Sequence, residues 1–174
     1  MKFFWPCFAF MLAFFSACQL RHGVEDVSNQ DPYRTSVGQK FVLQRDLYIY
    51  KFNDSAALRL GTAGDMPPYS IGVPQDVSSE HTGLKTDYLT ILGVAEKGQT
   101  FTIKKVEYKK DYYFPSISYI VVLDNNLLFR EKELATLQLV NLKNNPPQTK
   151  GFSTPPIFQP DMALPLASDG EWWK

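Results

Sequence analysis

The feature that most constrains the fold is a series of short apolar runs, rich in β-branched and aromatic residues, that are separated by turn-forming residues. In TFTIKKVEY (100–108), Phe101 and Ile103 alternate with Thr and Lys side chains, which is the two-residue period of a strand with one buried face. KFVLQRDLYIYKF (40–52) has the composition of strands, and SYIVVLD (118–124) is a continuous apolar run typical of a central strand. The sequence therefore predicts a mainly β fold.

Two of these runs flank a glycine-containing turn. YLTILGVAEKGQTFTIKKVEY (88–108) holds one run that includes Leu89 and Ile91, the turn AEKGQ (95–99), and a second run at 100–108. Two strand-type runs around a short turn of this kind predict a β-hairpin.

The remaining central segments are less regular. Residues 53–88 form a long excursion rich in Gly and Pro, with one short strand predicted at LRLG (58–61). REKELATLQL (130–139) has helical character, because it begins with charged residues and spaces Leu134 and Leu137 three apart. It predicts one or two helical turns.

The hairpin region resembles the small β-barrels of the Src homology 3-like class that occur in bacterial envelope proteins. The residues that carry the resemblance are Gly93–Val94, Lys97–Gly98 and the alternating pair Phe101 and Ile103. The resemblance implies a small antiparallel β-barrel over residues 38–143, with the excursion as a long loop insertion. Another small antiparallel sheet is the alternative interpretation of the same residues.

The first seventeen residues, MKFFWPCFAFMLAFFSA (1–17), have the pattern of an export signal. Lys2 is followed by an uncharged apolar run that ends in small residues. The run is shorter than the roughly 20 apolar residues that a spanning helix needs. An ordinary secretory signal cut near Ala17 and a membrane-spanning anchor are the alternatives.

The small pair Ser16 and Ala17, directly before Cys18, resembles the lipobox of bacterial lipoproteins, although Phe15 stands where that family usually has Leu. The resemblance implies cleavage before Cys18, diacylglycerol on its thiol and acylation of the new amino terminus. Three acyl chains would anchor the protein stably in a membrane. Gln19 in place of Asp implies the outer membrane, with the domain facing the periplasm.

The segments on either side of the predicted domain are polar or rich in proline. Residues 18–37 lack apolar periodicity and are predicted to be a lipidated tether. Residues 144–174 contain six of the twelve prolines and are predicted to be an extended tail. Its apolar residues Phe152, Ile157, Phe158 and Met162 are candidates to dock on the barrel.

The search for catalytic and cofactor motifs yields no candidate stronger than a loop residue. The formal net charge is zero, which gives no support to nucleic-acid binding, and both cysteines lie in the first 18 residues. His81 follows Glu80 in the excursion, as a general base or metal ligand can, but a solvated loop histidine is the favoured interpretation. Asp124 begins a DNN turn rather than a calcium loop. We therefore predict no enzymatic activity, no catalytic residue, no metal and no cofactor.

One stretch combines basic and aromatic residues in the manner of a binding surface. KKVEYKKDYYF (104–114) alternates lysines with aromatic side chains, and the excursion adds a further tyrosine. The alternative is a hairpin whose exposed face is rich in lysine, which protects an edge strand from aggregation. Aromatic residues are common interface anchors. The candidate interaction residues are Tyr108, Lys109, Lys110, Tyr112, Tyr113 and Tyr69.

Together these patterns favour a lipid-anchored, non-catalytic binding module of the bacterial envelope. Its partners would be the membrane, through Cys18, and an envelope protein or a peptidoglycan component, with no nucleic acid. An immunity or exclusion lipoprotein that neutralises a toxin is an alternative. The third hypothesis is an envelope hydrolase that uses His81 with Glu80, or a Ser–Lys pair.

Overall fold

A computed structural model describes residues 23–65, 69–110, 116–136 and 158–166, with Lys110 described through its backbone. These residues form nine strands and three short 3-10 turns, and no α-helix occurs in them. The strands are β1 (Gly23–Asp26), β2 (Lys40–Leu43), β3 (Leu47–Phe52), β4 (Leu58–Gly61), β5 (Leu89–Ala95), β6 (Thr100–Lys110), β7 (Ser116–Leu123), β8 (Leu134–Thr136) and β9 (Ala163–Pro165). The 3-10 turns are Tyr33–Thr35, Ala63–Asp65 and Ser79–His81. The mainly β prediction is confirmed.

The described strands belong to a single open sheet. Its order is β5-β3-β4-β8-β7-β6-β2-β9, and β1 pairs with β6 beside this path. All neighbours are antiparallel except β4 and β8, which are parallel. Strands β5 and β9 lie at opposite ends and do not pair, so these strands do not close into the predicted antiparallel barrel. The Src homology 3-like arrangement is not confirmed.

The predicted hairpin between residues 88 and 108 is wrong, although both of its strands exist. Strand β5 pairs with β3, and β6 pairs with β7, β2 and β1. The register between β3 and β5 shifts where Ile49 opposes Gly93 and Tyr50 opposes Ile91, so Leu92 is an additional, bulged residue. The turn at 95–99 therefore joins two strands that take different partners.

The helical prediction for residues 130–139 is also wrong in the part that the structure describes. Leu134–Thr136 is strand β8, which lies between β4 and β7. Thr136 Oγ1 donates to the carbonyl oxygen of Tyr119 at 3.0 Å and accepts from its amide nitrogen at 3.1 Å. Leu134 is fully buried. Long-range pairing outweighs the local helical spacing here, and Leu137 lies outside the described residues.

Two hydrophobic cores lie on opposite faces of strand β3. Leu47 and Ile49 belong to the main core, whereas Tyr48 and Tyr50 belong to the second core, and all four are fully buried. Alternating side chains point to opposite faces of a strand, so β3 is covered on both sides. The second core also takes residues from β5 and from the excursion, namely Leu89, Ile91, Ala63 and Val73. The excursion therefore packs as a layer on β3 and β5.

Part of the predicted tether belongs to the folded domain. Strand β1 pairs with β6, and Val27 and Tyr33 are buried in the main core. Buried Ser36 forms a side-chain hydrogen bond with Tyr119 on β7. The structure thus differs from the tether prediction over residues 23–37, because a few apolar side chains in a polar segment find partners far along the chain.

Part of the predicted extended tail belongs to the folded domain. Phe158 and Met162 are buried in the main core, and β9 adds an outer strand to β2. Residues 144–157 and 167–174 lie outside the described ranges, as do the predicted signal and Cys18. Within the described ranges, no helix has the length and apolar character needed to cross a bilayer.

Candidate functional site

An aromatic cleft lies where β3 ends and β5 begins. Its volume is about 280 Å³. Phe52 is the last residue of β3, Tyr88 directly precedes β5, and Tyr69 comes from the excursion. The described lining residues are Phe52, Asn53, Asp54, Tyr69, Asp87 and Tyr88. Three chain segments thus meet in one concave surface.

The three rings form a continuous aromatic wall. The ring centroids of Phe52 and Tyr69 are 5.1 Å apart at an interplanar angle of 64°. Those of Tyr69 and Tyr88 are 5.5 Å apart at 60°. These are favourable geometries for tilted aromatic pairs, so the rings support one another. Tyr69 is nevertheless 42% exposed and Tyr88 is 46% exposed, which leaves ring surface available to a ligand.

Asn53 fixes the loop that carries two of the lining residues. Its Nδ2 donates to the carbonyl oxygens of Thr86 at 3.0 Å and Asp87 at 3.1 Å. Its backbone nitrogen donates to the Tyr88 carbonyl oxygen at 2.8 Å, and its Oδ1 accepts from Thr90 Oγ1 at 2.9 Å. The cleft is therefore preorganised before a ligand arrives, which lowers the entropic cost of binding.

The buried side of the wall rests on the second core. The Phe52 ring packs edge-on against the fully buried Tyr50, with centroids 5.8 Å apart. The guanidinium carbon of Arg59 lies 4.8 Å from the Phe52 ring centroid, which is a cation–π contact. Burial raises the pKa of Tyr50 well above its ordinary value, and no described residue forms a hydrogen bond with its hydroxyl. The cleft thus has a rigid apolar support.

The rim of the cleft is acidic. Asp54 and Asp87 are exposed, and neither forms an ion pair with a residue that the structure describes. Lys51 and Lys85 both oppose Thr90 in the sheet, so they share its face. Because neighbouring side chains on a strand point to opposite faces, this row lies across the sheet from Phe52. Asp54 and Asp87 therefore contribute two carboxylates to the lining, and the Arg59 guanidinium lies nearby over the Phe52 ring.

His81, predicted to be a loop histidine, has a specific partner. Its Nδ1 lies 2.7 Å from the Tyr48 hydroxyl oxygen, which also lies 2.8 Å from the Asp76 carbonyl oxygen. The single hydrogen of the phenol is donated to the carbonyl oxygen, which can only accept. The phenol oxygen therefore accepts from the imidazole, and we assign the hydrogen on His81 to Nδ1. The imidazole therefore holds the excursion to β3. His81 is not among the described residues that line the cleft.

The structure separates the predicted interaction residues. Tyr69 lies in the cleft, whereas Tyr108 is partly buried against the main core. Lys109 is on the opposite face of β6, where burial, followed by the charge of Arg59, lowers its pKa. The side chains of Lys110, Tyr112 and Tyr113, like Cys18, lie outside the described residues.

Sequence reasoning missed Phe52 and Tyr88 as partners of Tyr69. The sequence signal for Tyr88 was its place in the polar segment TDY (86–88), directly before the apolar run that begins at Leu89. Such a segment marks the polar end of a strand. In the ranges that the structure covers, no group of three or more His, Cys, Asp or Glu side chains is placed to hold a metal ion. What the described site offers is aromatic surface and carboxylate charge.

Compared with protein-family models, with curated proteins and with solved structures, the chain has no match. The functional argument below is therefore built on the residues and the geometry of the cleft.

Proposed function

We propose that this chain is a non-catalytic binding module of the bacterial cell envelope, held at the outer membrane by a lipid on Cys18. Its binding site is the aromatic cleft, and its ligand is an envelope protein or a peptidoglycan component. The observation that carries the proposal is the exposure of Tyr69 and Tyr88 in a preorganised cleft. Large apolar side chains left exposed on a rigid, concave surface are typical of binding sites.

The lining chemistry favours binding over hydrolysis. A carboxyl group acts as a general acid when burial or a nearby charge keeps it protonated at neutral pH. Asp54 and Asp87 are exposed, so burial does not provide this environment. The described lining holds no His, Cys, Ser or Lys side chain that would serve as a nucleophile or base. The hydrogen bond between His81 and Tyr48 gives that imidazole a structural role.

The proposed anchor sets a short distance between the membrane and the domain. Strand β1 begins at Gly23, five residues after Cys18. At about 3.3–3.6 Å per residue, these five residues span at most about 18 Å. An anchored domain would therefore lie directly against the lipid headgroups and bind components close to the membrane.

The anchor is tested by mass and fractionation. When the whole chain is produced in cells, we expect the protein extracted from membranes to lack residues 1–17 and to carry the mass of three acyl chains. The Cys18→Ser variant should carry no acyl mass: it should either keep residues 1–17, or lose them and leave the membrane fraction in carbonate. A variant that stays membrane-bound with an unchanged mass would contradict lipid anchoring.

The binding role is tested by site-specific cross-linking in cells. A photoreactive phenylalanine analogue replaces Tyr88 in one strain and Glu96 in a control strain. Glu96 follows β5 at its far end, about 25 Å along the strand from Tyr88. We expect a discrete envelope adduct from position 88 and none from position 96. Equal labelling at both positions, or none at either, would contradict the proposed site.

A further inference from the structure

We infer that the aromatic cleft recognises a lysine or arginine side chain of a partner polypeptide, next to an apolar residue of that partner. This inference rests on the proposed binding function and specifies the chemistry of its ligand.

The rim selects for positive charge. Asp54 and Asp87 contribute two exposed carboxylates, and none of the described lining residues is basic. Lys51 and Lys85 lie on the face of the sheet opposite Phe52, with Thr90, and Arg59 lies over the Phe52 ring without being part of the described lining. Opposite charges attract more strongly near a protein surface than in bulk water, so a cation gains by entering.

The aromatic wall suits a cation that has been partly dehydrated. Phe52 already holds the guanidinium group of Arg59, which shows that a cation is accepted on this ring. Arg59 is absent from the described lining, whereas the half-exposed rings of Tyr69 and Tyr88 face the cleft. A cation within about 6 Å of such a ring is stabilised by the quadrupole of the ring. The carboxylates and the aromatic rings therefore both favour the binding of a cation.

The size of the cleft and its surroundings favour a polypeptide ligand. A volume of about 280 Å³ is at the lower end of ligand pockets, which begin near about 300 Å³. It suits one side chain. Ile71 is 72% exposed. Its neighbour Gly72 lies against Thr86, next to the lining residue Asp87, because a Cβ on Gly72 would be 3.6 Å from Thr86 Cγ2. An apolar residue that neighbours the bound cation can cover Ile71.

A glycan fits the described lining less well. Sugars are recognised through hydrogen bonds to their hydroxyl groups, for which amide side chains are well suited. The amide of Asn53 uses both of its hydrogens on the carbonyl oxygens of Thr86 and Asp87, and its oxygen accepts from Thr90. The polar side-chain groups left in the described lining are the hydroxyls of Tyr69 and Tyr88 and the carboxylates of Asp54 and Asp87, and the two carboxylates favour a cationic ligand.

The inference is tested with short peptides and the full-length protein purified in detergent. The probes are acetylated, amidated tetrapeptides Ala-Ile-X-Ala, in which X is Lys, Arg, Gln or Glu. We expect the Lys and Arg peptides to bind at least about tenfold more tightly than the Gln peptide. Their affinity should fall as salt is added, because the rim charges are exposed. Calorimetry measures both effects.

Variants separate the two contributions to binding. We expect Asp54→Asn and Asp87→Asn each to weaken Lys-peptide binding about threefold to tenfold, because each removes one carboxylate. Tyr69→Leu keeps an apolar side chain but removes the aromatic ring, and it should also weaken binding. Glu96→Gln, which removes an exposed carboxylate at the far end of β5, is the control and should bind normally. Thermal unfolding confirms that each variant is folded.

Each outcome decides between the inference and the proposed function. Equal binding of the Lys, Gln and Glu peptides would overturn the cationic specificity, and so would binding of a chitin oligosaccharide in place of the Lys peptide. If cross-links form at position 88 but basic peptides do not bind, the binding module stands and the ligand class is wrong. If basic peptides bind but no cross-link forms in cells, the cleft chemistry stands and the envelope role fails.

Discussion

The Tyr48 hydroxyl oxygen lies 2.7 Å from Nδ1 of His81 and 2.8 Å from the carbonyl oxygen of Asp76. A third, longer contact of 3.4 Å joins this hydroxyl to the Pro74 carbonyl oxygen, so a fully buried side chain of β3 is hydrogen-bonded to the excursion at three points. The same excursion contributes Tyr69 to the cleft. One phenol therefore links the second core to the layer that completes the binding site.

Tyr50 provides a matched comparison for Tyr48. Both are fully buried on the same face of β3, but the Tyr50 hydroxyl has no hydrogen-bond partner among the residues that the structure describes. We expect Tyr48→Phe to lower the free energy of unfolding by about 1–3 kcal/mol, because the hydrogen bonds to His81 and to the Asp76 carbonyl oxygen are lost. Tyr50→Phe should be neutral or stabilising, since it removes an unsatisfied hydroxyl. Urea unfolding of both variants is the measurement, and equal losses would contradict this assignment.

Buried tyrosines predict a loss of stability at alkaline pH. Burial raises the pKa of Tyr119 to about 12, with the hydrogen bond from Ser36 opposing the shift. The pKa values of Tyr33, Tyr48 and Tyr50 are also raised, chiefly by burial. Unfolded tyrosine ionises near 10.0, so the folded state binds more protons between pH 10 and about 12. Stability should be retained below pH 10 and should fall through that window.

The Tyr119→Phe variant isolates one part of this pH dependence. One retained proton contributes a slope of about 1.4 kcal/mol per pH unit. We expect the variant to be less stable at neutral pH, because Ser36 loses its partner, but to lose stability less steeply between pH 10 and about 12. Denaturant unfolding at several pH values measures the slope. An unchanged slope would show that Tyr119 does not hold its proton in this range.

Local patterns predicted strands but not their partners. The runs at 58–61, 100–108 and 118–124 are strands in the structure, because alternation of apolar residues is a property of neighbouring positions. The pairing of β5 with β3 depends on which strand best covers Ile91, and that is decided by residues about 40 positions away. The hairpin was therefore the natural but wrong expectation.

The segment around Leu134 shows how a short strand escapes prediction. Leu134 and Thr136 are buried while Ala135 is less so, which is a strand alternation, yet three residues are too few to distinguish it from helical spacing. Parallel pairing with β4 decides the conformation. The cleft escapes prediction for a similar reason. Phe52, Tyr69 and Tyr88 are distant in sequence, and the sequence patterns point only to Tyr69 as an interaction residue.

Gly93 predicts a steric conflict that can be measured. A Cβ at this position would lie 2.9 Å from Cε2 of Phe129, which packs partly buried over β5. We expect Gly93→Ala to destabilise the fold by about 1–3 kcal/mol, because the ring must move out of a packed position. Gly64→Ala is the control, since its nearest neighbour, Thr62 Oγ1, lies at an ordinary 3.6 Å.

A double mutant identifies the cause of that loss. If the Phe129 ring is responsible, Phe129→Leu should make the cost of Gly93→Ala smaller than in the wild-type background. The difference is a coupling free energy obtained from urea unfolding of the four proteins in the cycle. Strictly additive losses would place the conflict elsewhere in β5.

The carboxyl-terminal segment is expected to stabilise the domain through Phe158. Its ring is 3% exposed and lies 4.8 Å from that of Phe41, 5.2 Å from that of Phe101 and 5.2 Å from that of Tyr119, measured between centroids. These rings belong to β2, β6 and β7, so Phe158 joins three strands of the main core.

Phe158→Ala should therefore lower the free energy of unfolding by about 3–5 kcal/mol, because the cavity left between three rings cannot collapse fully. Leu164→Ala is the matched control on β9, where the side chain is 42% exposed, and should change stability by less than about 0.5 kcal/mol. Urea unfolding of the full-length protein measures both. A small effect of Phe158→Ala, similar to that of Leu164→Ala, would mean that the segment is attached to the domain without completing its core. A large effect would show that the domain needs residues beyond the predicted boundary at 143 in order to fold stably.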